Sequence, residues 1–296
     1  MFHTIFKPED FYKNFDSDYF LFAHEINQAN LENRALFESI QKKFPWVEEK
    51  SYRLSILMQI RFQTLLCINT LFELIFNLLP DKNGYIPDKE LILRMNKENA
   101  LSPLQIRNWV NGQKSDLEAL QRPIEYKNGE VKELAYHLFY LTESKSEKLD
   151  ESILQLLNML KVMGKEIADT SELNSFKHGM RGVIDPKKFS LGSKDKDREL
   201  LKFDFTEAIS YYNYHSDKKC FTMHFKSLDL ERNINLTVFA TVLIKAIITP
   251  RKKLFHENEK KEEIINVFIT EELVQKLSTP SKGHFNLRFS NCKKSG

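Results

Sequence analysis

The chain has 296 residues, of which 42% are hydrophobic, and its 44 basic and 41 acidic residues leave a net charge of only +3. This length suits one large or two ordinary globular domains, and such a balanced charge neither indicates nor excludes a nucleic-acid partner. Gly and Pro are scarce, with 9 residues each, which favours helices over a β sandwich. The three widely separated cysteines form neither a disulfide framework nor a zinc site, and they predict a reduced, cytoplasmic setting.

Neither a signal peptide nor a membrane-spanning helix is expected from the sequence. The amino terminus, MFHTIFKPEDF, lacks a charged region followed by an apolar one. The longest apolar run, Leu65 to Leu79, contains Asn69, Glu73 and Asn77 and is too short to cross a bilayer. We therefore expect no contact with a membrane.

Helical periodicity dominates the first half of the chain. Residues 18–43 have an amphipathic pattern that predicts one helix ended by Pro45. Glu48 to Leu79 carries apolar residues around most of its circumference, which predicts a long, central and buried helix. Glu73 is the unusual member of its narrow polar stripe, because an unpaired carboxylate in a buried run is costly.

Shorter helices are predicted to follow. Ser102-Pro103 is a good helix start, and residues 101–120 have the rhythm of a helix-turn-helix with a glycine in the turn. The second half of this segment offers few outward side chains that could read DNA bases, so we expect two packed short helices. Glu130 to Glu143 predicts another helix, and Ser152 to Lys177 a longer one.

The composition changes after Arg181. Asp185 to Arg198 is rich in charged and turn-forming residues, which predicts a mobile loop. Leu200 to His215 and Cys220 to Leu228 alternate in polarity or are rich in aromatic residues, which predicts a small antiparallel β element.

Two more elements complete the predicted fold. Asn233 to Ile248 predicts an apolar helix stopped by Pro250, and His284 to Phe289 predicts a terminal strand. The expected fold class is therefore mainly α, a helical bundle with a small antiparallel β element in the C-terminal third. We expect a helical domain over residues 1–185 and a mixed α/β region over residues 186–296. The second region can pack on the same core as the first.

The segment from Ile167 to Val183, IADTSELNSFKHGMRGV, holds the closest set of side chains that could take part in catalysis: Asn174, Lys177, His178 and Arg181. Six apolar residues of the helix before it share one face: Ile153, Leu156, Leu157, Leu160, Met163 and Ile167. If that helix continues without a break, Asn174 and His178 lie on the same face and point toward the core. His178 would close the helix before Gly179, where a tuned imidazole can transfer protons. The alternative is a hydrogen-bonded His178 that only ends the helix, with Lys177 and Arg181 solvated.

Several familiar chemistries have no motif here. The sequence contains no glycine-rich phosphate loop, no Rossmann fingerprint, no HExxH and no nucleophile elbow. Nucleotide-fuelled motors, zinc enzymes and triad hydrolases are therefore disfavoured. We expect no cofactor and no metal, which leaves metal-free acid–base chemistry or binding.

The segment LNSFKHGMR, which ends a predicted helix, and the earlier long helix containing LFELIFNLL together resemble the HEPN superfamily of helical bacterial proteins. The resemblance covers residues 48–181. Many members are metal-free ribonucleases of toxin–antitoxin and anti-phage systems, and their usual motif is R-x4–6-H. His178 takes the place of the motif histidine. The motif arginine would then stand at residue 171, 172 or 173, but these residues are Ser, Glu and Leu, and Asn174 stands one position inside this window.

The resemblance implies a role for each candidate residue. His178 would be the acid or base, Asn174 and Glu73 would orient it, and Lys177 and Arg181 would hold phosphate. Such a site is often formed across a homodimer in this superfamily, so a homodimer is expected by analogy.

The missing arginine leaves the source of a positive charge open, and Arg181 or Arg61 could supply it. The first functional hypothesis is an RNA-acting, ribonuclease-type protein of a bacterial defence or toxin–antitoxin system. The second is a non-catalytic binding or regulatory protein with a HEPN-like helical fold. A small-molecule enzyme is a third hypothesis, for which the sequence carries no cofactor signature.

Overall fold

A computed structural model describes the chain at residues 7–96, 102–125, 129–141, 146–168, 172, 174, 182–183, 188–193, 196–204, 208–215, 220–256, 268–278 and 284–290. The chain forms two compact units, each made of segments that are distant in sequence. The first unit comprises Met1–Ala23, Thr64–Asp169 and Asn235–Ser278, and the second comprises His24–Gln63, Thr170–Ile234 and Thr279–Gly296. The predicted boundary at residue 185 falls inside the second unit.

The fold is mainly α, as predicted, with antiparallel strands in the C-terminal third. The helices of the described residues are α1 (Asp10–Asn14), α2 (Tyr19–Glu32), α3 (Arg34–Lys43), α4 (Glu49–Leu78), α5 (Leu91–Met95), α6 (Ser102–Val110), α7 (Leu134–Phe139), α8 (Glu147–Ile167), α9 (Leu230–Phe255) and α10 (Glu271–Ser278). Short 3₁₀ helices cover Asp88–Glu90 and Asp116–Gln121. The strands are β1 (Pro123–Glu125), β2 (Val131–Glu133), β3 (Gly182–Val183), β4 (Lys188–Ser193), β5 (Lys196–Asp204), β6 (Ala208–His215), β7 (Cys220–Ser227) and β8 (His284–Ser290).

The long helix α4 is confirmed, and it contributes residues to both units. Most of its apolar side chains from Leu54 to Leu78 are buried, and the others are half-buried. This follows from its sequence, because a helix that is apolar around most of its circumference is stable in water only when it is covered on most sides. Helix α9 also contributes to both units, with its first residues in the second unit.

In the first unit, polar and small side chains set how the helices pack. The hydroxyls of Thr64 on α4 and Thr237 on α9 lie 2.9 Å apart and are buried, so each satisfies the other. Gly164 on α8 lets α6 come close. A Cβ at this glycine would lie 2.9 Å from Val110 Cγ1, closer than real Cβ atoms pack, and 3.2 Å from Ile106 Cγ2, which is a tight contact.

The second unit holds a four-stranded antiparallel sheet in the order β3-β6-β7-β8, beside the separate hairpin β4-β5. Leu54 and Leu57 on α4 pack with Ile209 on β6 and with Leu228, just after β7, in a buried cluster. The predicted strands in this region and at the carboxyl end are therefore confirmed. Residues 216–218, whose sequence Ser-Asp-Lys predicts the turn between β6 and β7, lie outside the described residues.

The loop predicted over Asp185 to Arg198 is wrong for its described part. Residues 188–193 form β4 and residues 196–198 begin β5, and the two strands pair with register shifts around Gly192. Charged residues favour loops only on average, and backbone pairing across a hairpin outweighs this weak local preference.

Other helix boundaries also differ from the prediction. The single helix expected over residues 18–43 is two helices, because the Asn33 side chain accepts a hydrogen bond from the Leu36 backbone N–H and starts α3. Helix α9 continues past Pro250 to Phe255. Proline has a helical φ and removes only one helix donor, and the neighbouring Arg251 side chain is tightly bonded. The first part of the helix expected over residues 130–143 is strand β2.

Helices α4 and α9 are long and apolar enough to cross a membrane, by length and composition only. More than half of the most apolar stretch of each helix is buried inside the protein, 56% for α4 and 67% for α9. This is weak evidence, because core helices of soluble proteins meet the same criteria. The absence of membrane contact stays a prediction.

Candidate functional site

Only residues 172 and 174 of the segment that follows α8 belong to the described part of the chain, and they do not continue its apolar face. Helix α8 begins after the Ser146 N-cap and ends at Ile167. Asn174 has helical backbone but is exposed, whereas Glu172 is buried. The expectation that Asn174 points toward the core is therefore wrong, because it assumed one unbroken helix from Ser152 to Lys177. Lys177, His178 and Arg181 lie outside the described residues.

Glu73 is exposed on the surface of α4, which corrects the expectation of a carboxylate in a buried run. Its side chain accepts a hydrogen bond of 2.8 Å from Asn69 Nδ2, one helical turn earlier. Its backbone carbonyl accepts a second one, of 2.7 Å, from Asn77 Nδ2. Because the Glu73 carboxylate is exposed and accepts this local hydrogen bond, it needs no buried counter-charge. Glu73 belongs to the first unit and Asn174 to the second.

The buried polar centre of the second unit joins Arg61 to Glu172. Arg61 Nε donates to Glu172 Oε1 at 2.7 Å, and Arg61 Nη2 donates to Glu172 Oε2 at 2.9 Å. Both side chains are only 2% exposed. This paired arrangement fits the planar guanidinium, which can present two parallel N–H groups to one carboxylate.

Two further side chains of the described residues belong to this centre. Lys226 Nζ on β7 donates to Glu172 Oε2 at 2.8 Å, and its side chain is 21% exposed. Arg61 Nη1 donates to Asn233 Oδ1 at 3.1 Å, in the first turn of α9. The centre therefore joins α4, the segment at Glu172, the sheet and the start of α9 within one unit.

The charges around Glu172 decide its protonation. Burial by itself raises the pKa of this carboxyl, but the positive charges of Arg61 and Lys226, and the hydrogen bonds they donate, outweigh burial and lower the pKa to about 2. Glu172 is therefore an anion near neutral pH. The buried charge of Arg61 is matched by a carboxylate at hydrogen-bond distance, as such burial requires.

This geometry corrects one expectation about the missing arginine. Arg61 is buried and its guanidinium is engaged by Glu172 and Asn233, so it does not provide an exposed cation for a phosphate. What the centre can do is hold the backbone at Glu172 in place, two residues before the exposed Asn174. We therefore assign it the role of anchoring the segment at Glu172 to α4.

Sequence reasoning missed Glu172, Lys226 and Asn233 as members of this centre. One signal was present, since Arg61 is the only cation between Leu54 and Leu79 in a mostly apolar helix. A charged residue in such a run predicts a buried partner. Which carboxylate would be that partner was not readable, because Glu172 is 111 residues away in the chain.

A second buried polar centre lies in the first unit, around Asp88. Its carboxylate contacts Arg251 Nε at 2.7 Å through one oxygen and His137 Nε2 at 2.8 Å through the other. The Arg251 side chain is fully buried, and it also donates to the carbonyls of Leu138 and Ile247 at 3.1 and 2.9 Å. Burial raises the pKa of Asp88, but the hydrogen bond with His137 and the charge of Arg251 outweigh it and lower the pKa.

The Asp88 centre holds helices together and lies largely out of solvent. The Tyr12 hydroxyl on α1 donates to the Asp88 backbone carbonyl at 2.6 Å, and burial raises the pKa of that phenol. The Arg251 guanidinium also donates from Nη2 to the carbonyl of His137 at 3.2 Å, so it joins Asp88 to the backbone of α7 and α9. We therefore assign this centre a structural role.

In the part of the chain that the structure describes, no three His, Cys, Asp or Glu side chains come close enough to hold a metal ion. Comparison of the chain with protein families, with curated proteins and with solved structures finds no match. The resemblance to the HEPN superfamily therefore stays a prediction from the motif residues.

Proposed function

We propose that this protein acts on RNA without a metal, as a ribonuclease of the HEPN-like type, with His178 as the proton-transfer group. The observation that supports the proposal is the buried pair of Arg61 and Glu172. It fixes the chain two residues before Asn174, which is exposed. A polymeric substrate needs a site at the surface, and catalysis needs that site to be held by a rigid support.

The proposed reaction needs few groups. The imidazole of His178 takes the proton of a ribose 2′-hydroxyl, and the resulting oxygen attacks the adjacent phosphorus. The bond from phosphorus to the 5′-oxygen breaks, and that oxygen takes a proton from water as it leaves. His178 then returns the 2′ proton to water, which restores the neutral imidazole. The products are a 2′,3′-cyclic phosphate and a 5′-hydroxyl. Lys177 and Arg181 would stabilise the extra negative charge on the phosphate in the transition state, with Asn174 close to the histidine.

The test compares wild-type protein with His178→Ala on a mixed RNA pool in EDTA. We expect cleavage by the wild type, loss of cleavage in His178→Ala, and cyclic-phosphate ends on the products. His256→Gln, a histidine outside the segment, is the matched control and should cleave normally. Equal cleavage by wild type and His178→Ala would contradict the proposal, and so would cleavage of an all-deoxy substrate, which has no 2′-hydroxyl.

A second candidate function is non-catalytic binding. The identity of residue 172 favours this candidate. The superfamily has its arginine within residues 171–173, whereas this chain has Glu172 there, and Glu172 neutralises the charge of Arg61. Such a protein would bind RNA or a protein partner without cleaving it. Saturable RNA binding with no cleavage by the purified wild type would favour this candidate over the ribonuclease.

A further inference from the structure

A small basic cleft lies between α6 and α8 in the first unit. Its volume is about 330 Å³, and it is lined by Arg107, Val110, Asn111, Lys165 and Ala168. Two of these five residues are cations, one is an amide, and none is acidic. This volume is at the lower end of the range of small-ligand sites, and suits one phosphate group with its sugar.

The shape of the cleft depends on the close approach of α6 to α8. Gly164 removes the side chain that would meet Val110 and Ile106, so α6 packs directly against α8. On the same two helices, Lys161 Nζ lies 5.5 Å from the centre of the Trp109 ring, which is buried. The close approach at Gly164 and this cation–π contact both join α6 to α8.

The two cations of the cleft are not neutralised by acidic side chains. Within the described part of the chain, neither Arg107 nor Lys165 takes part in an ion pair or a side-chain hydrogen bond. Each lies in the last turn of its helix, where the helix dipole attracts a cation. This attraction corresponds to roughly half a negative charge per helix end, so two helix ends offset only about half of the two positive charges.

We propose that this cleft binds a phosphate group of the RNA backbone. The remaining positive charge attracts an anion, Arg107 can donate two N–H groups to one phosphate, and the Asn111 amide adds a further donor. The proposal rests on the proposed action on RNA, and it adds a contact outside the His178 segment that binds substrate without taking part in the chemistry.

The experiment measures binding of a short, fluorescent single-stranded RNA by anisotropy, in EDTA and at two salt concentrations. Arg107→Gln combined with Lys165→Gln removes both cleft charges. Lys42→Gln combined with Lys43→Gln is the control, because it removes two exposed cations from the last turn of α3. We expect Kd to rise about 10-fold in the cleft variant and less than about 2-fold in the control, with a salt slope smaller by about 1 in the cleft variant only.

Several outcomes would overturn the assignment. These are equal weakening by the two double variants, no RNA binding by the wild type, or unchanged binding in the cleft variant. Arg107→Lys combined with Lys165→Arg keeps both charges and should bind within about 3-fold of wild type, which separates loss of charge from loss of folding. Circular dichroism melting of every variant checks the fold directly.

Inorganic phosphate is the second probe, because a free phosphate offers the same chemistry as an RNA phosphate. We expect it to compete with RNA only weakly, since one phosphate replaces only one of several contacts. Tight phosphate binding that is lost in the cleft variant, together with unchanged RNA binding, would assign the cleft to a free phosphate ligand and overturn the RNA assignment.

The experiments can contradict the phosphate-binding role of the cleft and the ribonuclease activity independently of each other. RNA that binds through the cleft but is not cleaved contradicts the ribonuclease and supports the cleft. RNA that is cleaved at equal rate and affinity by wild type and cleft variant contradicts the cleft and leaves the ribonuclease standing.

Discussion

Arg61 and Glu172, which are 111 residues apart in the chain, meet through two hydrogen bonds of 2.7 and 2.9 Å with both side chains buried. The pair links the middle of α4 to the segment that precedes Asn174. Its energetic balance is asymmetric, because the two charges compensate each other in the interior but neither is tolerable there alone.

Glu172→Gln should therefore strongly destabilise the second unit. The change leaves the Arg61 guanidinium buried beside a neutral amide, and we expect the free energy of unfolding to fall by about 3–5 kcal/mol. Urea denaturation followed by circular dichroism measures this change. Glu73→Gln is the matched control on an exposed site of α4 and should alter the free energy by less than about 0.5 kcal/mol.

A double-mutant cycle tests whether the pair is the cause. Arg61→Met combined with Glu172→Met removes both charges, and apolar replacements of similar volume often restore what one lost partner costs. We expect the double variant to be less destabilised than the sum of its two single variants. Additive effects would mean that the two side chains do not act as a pair.

The pH dependence of stability should also depend on Glu172. Its folded-state pKa of about 2 lies below the ordinary value of 4.5, so its stabilising contribution is fully present above about pH 4.5 and is lost as the pH falls toward 2. The gap in unfolding free energy between wild type and Glu172→Gln should narrow over this range by about 3 kcal/mol. Asp88 is present in both proteins, so its contribution to the pH dependence cancels in this gap. Urea titrations at neutral and acidic pH measure the gap, and a constant gap would contradict the assignment.

Gly164→Ala should destabilise the packing of α6 against α8. The new methyl group would lie 2.9 Å from Val110 Cγ1 and 3.4 Å from Phe72 Cζ. We expect a net cost of about 1–2 kcal/mol, since overpacking outweighs the gain of about 1 kcal/mol in helix propensity. Thermal melting checks the value.

A compensating change distinguishes this clash from other causes. Val110→Ala removes the nearest methyl group, so Gly164→Ala in that background should cost less than it does in the wild type. If Gly164→Ala raises the melting temperature in both backgrounds, the close approach of the two helices is not limiting.

Arg251→Lys should be costly although it keeps the charge. Arg251 is fully buried and donates to Asp88 and to the carbonyls of Leu138 and Ile247, and one ammonium group cannot reach all of them. We expect a loss of about 2–4 kcal/mol in unfolding free energy. Arg34→Lys, on a side chain that is 82% exposed, should change it by less than about 0.5 kcal/mol. Similar values for the two variants would contradict the role of the Asp88 centre.

Part of the candidate site was predictable, and the reason differs from residue to residue. The motif residues His178, Asn174, Lys177 and Arg181 stood out because chemically able side chains are close in sequence. The exposure of Asn174 was not predictable, since helical phase survives only while the helix is unbroken and α8 ends at Ile167. The exposure of Glu73 was missed because a nearly apolar helix still keeps one exposed edge.

The sequence by itself determined the mainly α fold class, the long buried helix α4, the strands β6, β7 and β8, and the scarcity of known catalytic motifs. These follow from periodicity and composition, which act over a few turns of chain. Only the tertiary structure decided that Arg61 pairs with Glu172 and Lys226, that Arg251 pairs with Asp88, and that Arg107 and Lys165 share a cleft. Burying a charge requires a partner of opposite sign, but electrostatics does not specify where along the chain that partner lies, and folding alone brings the two together.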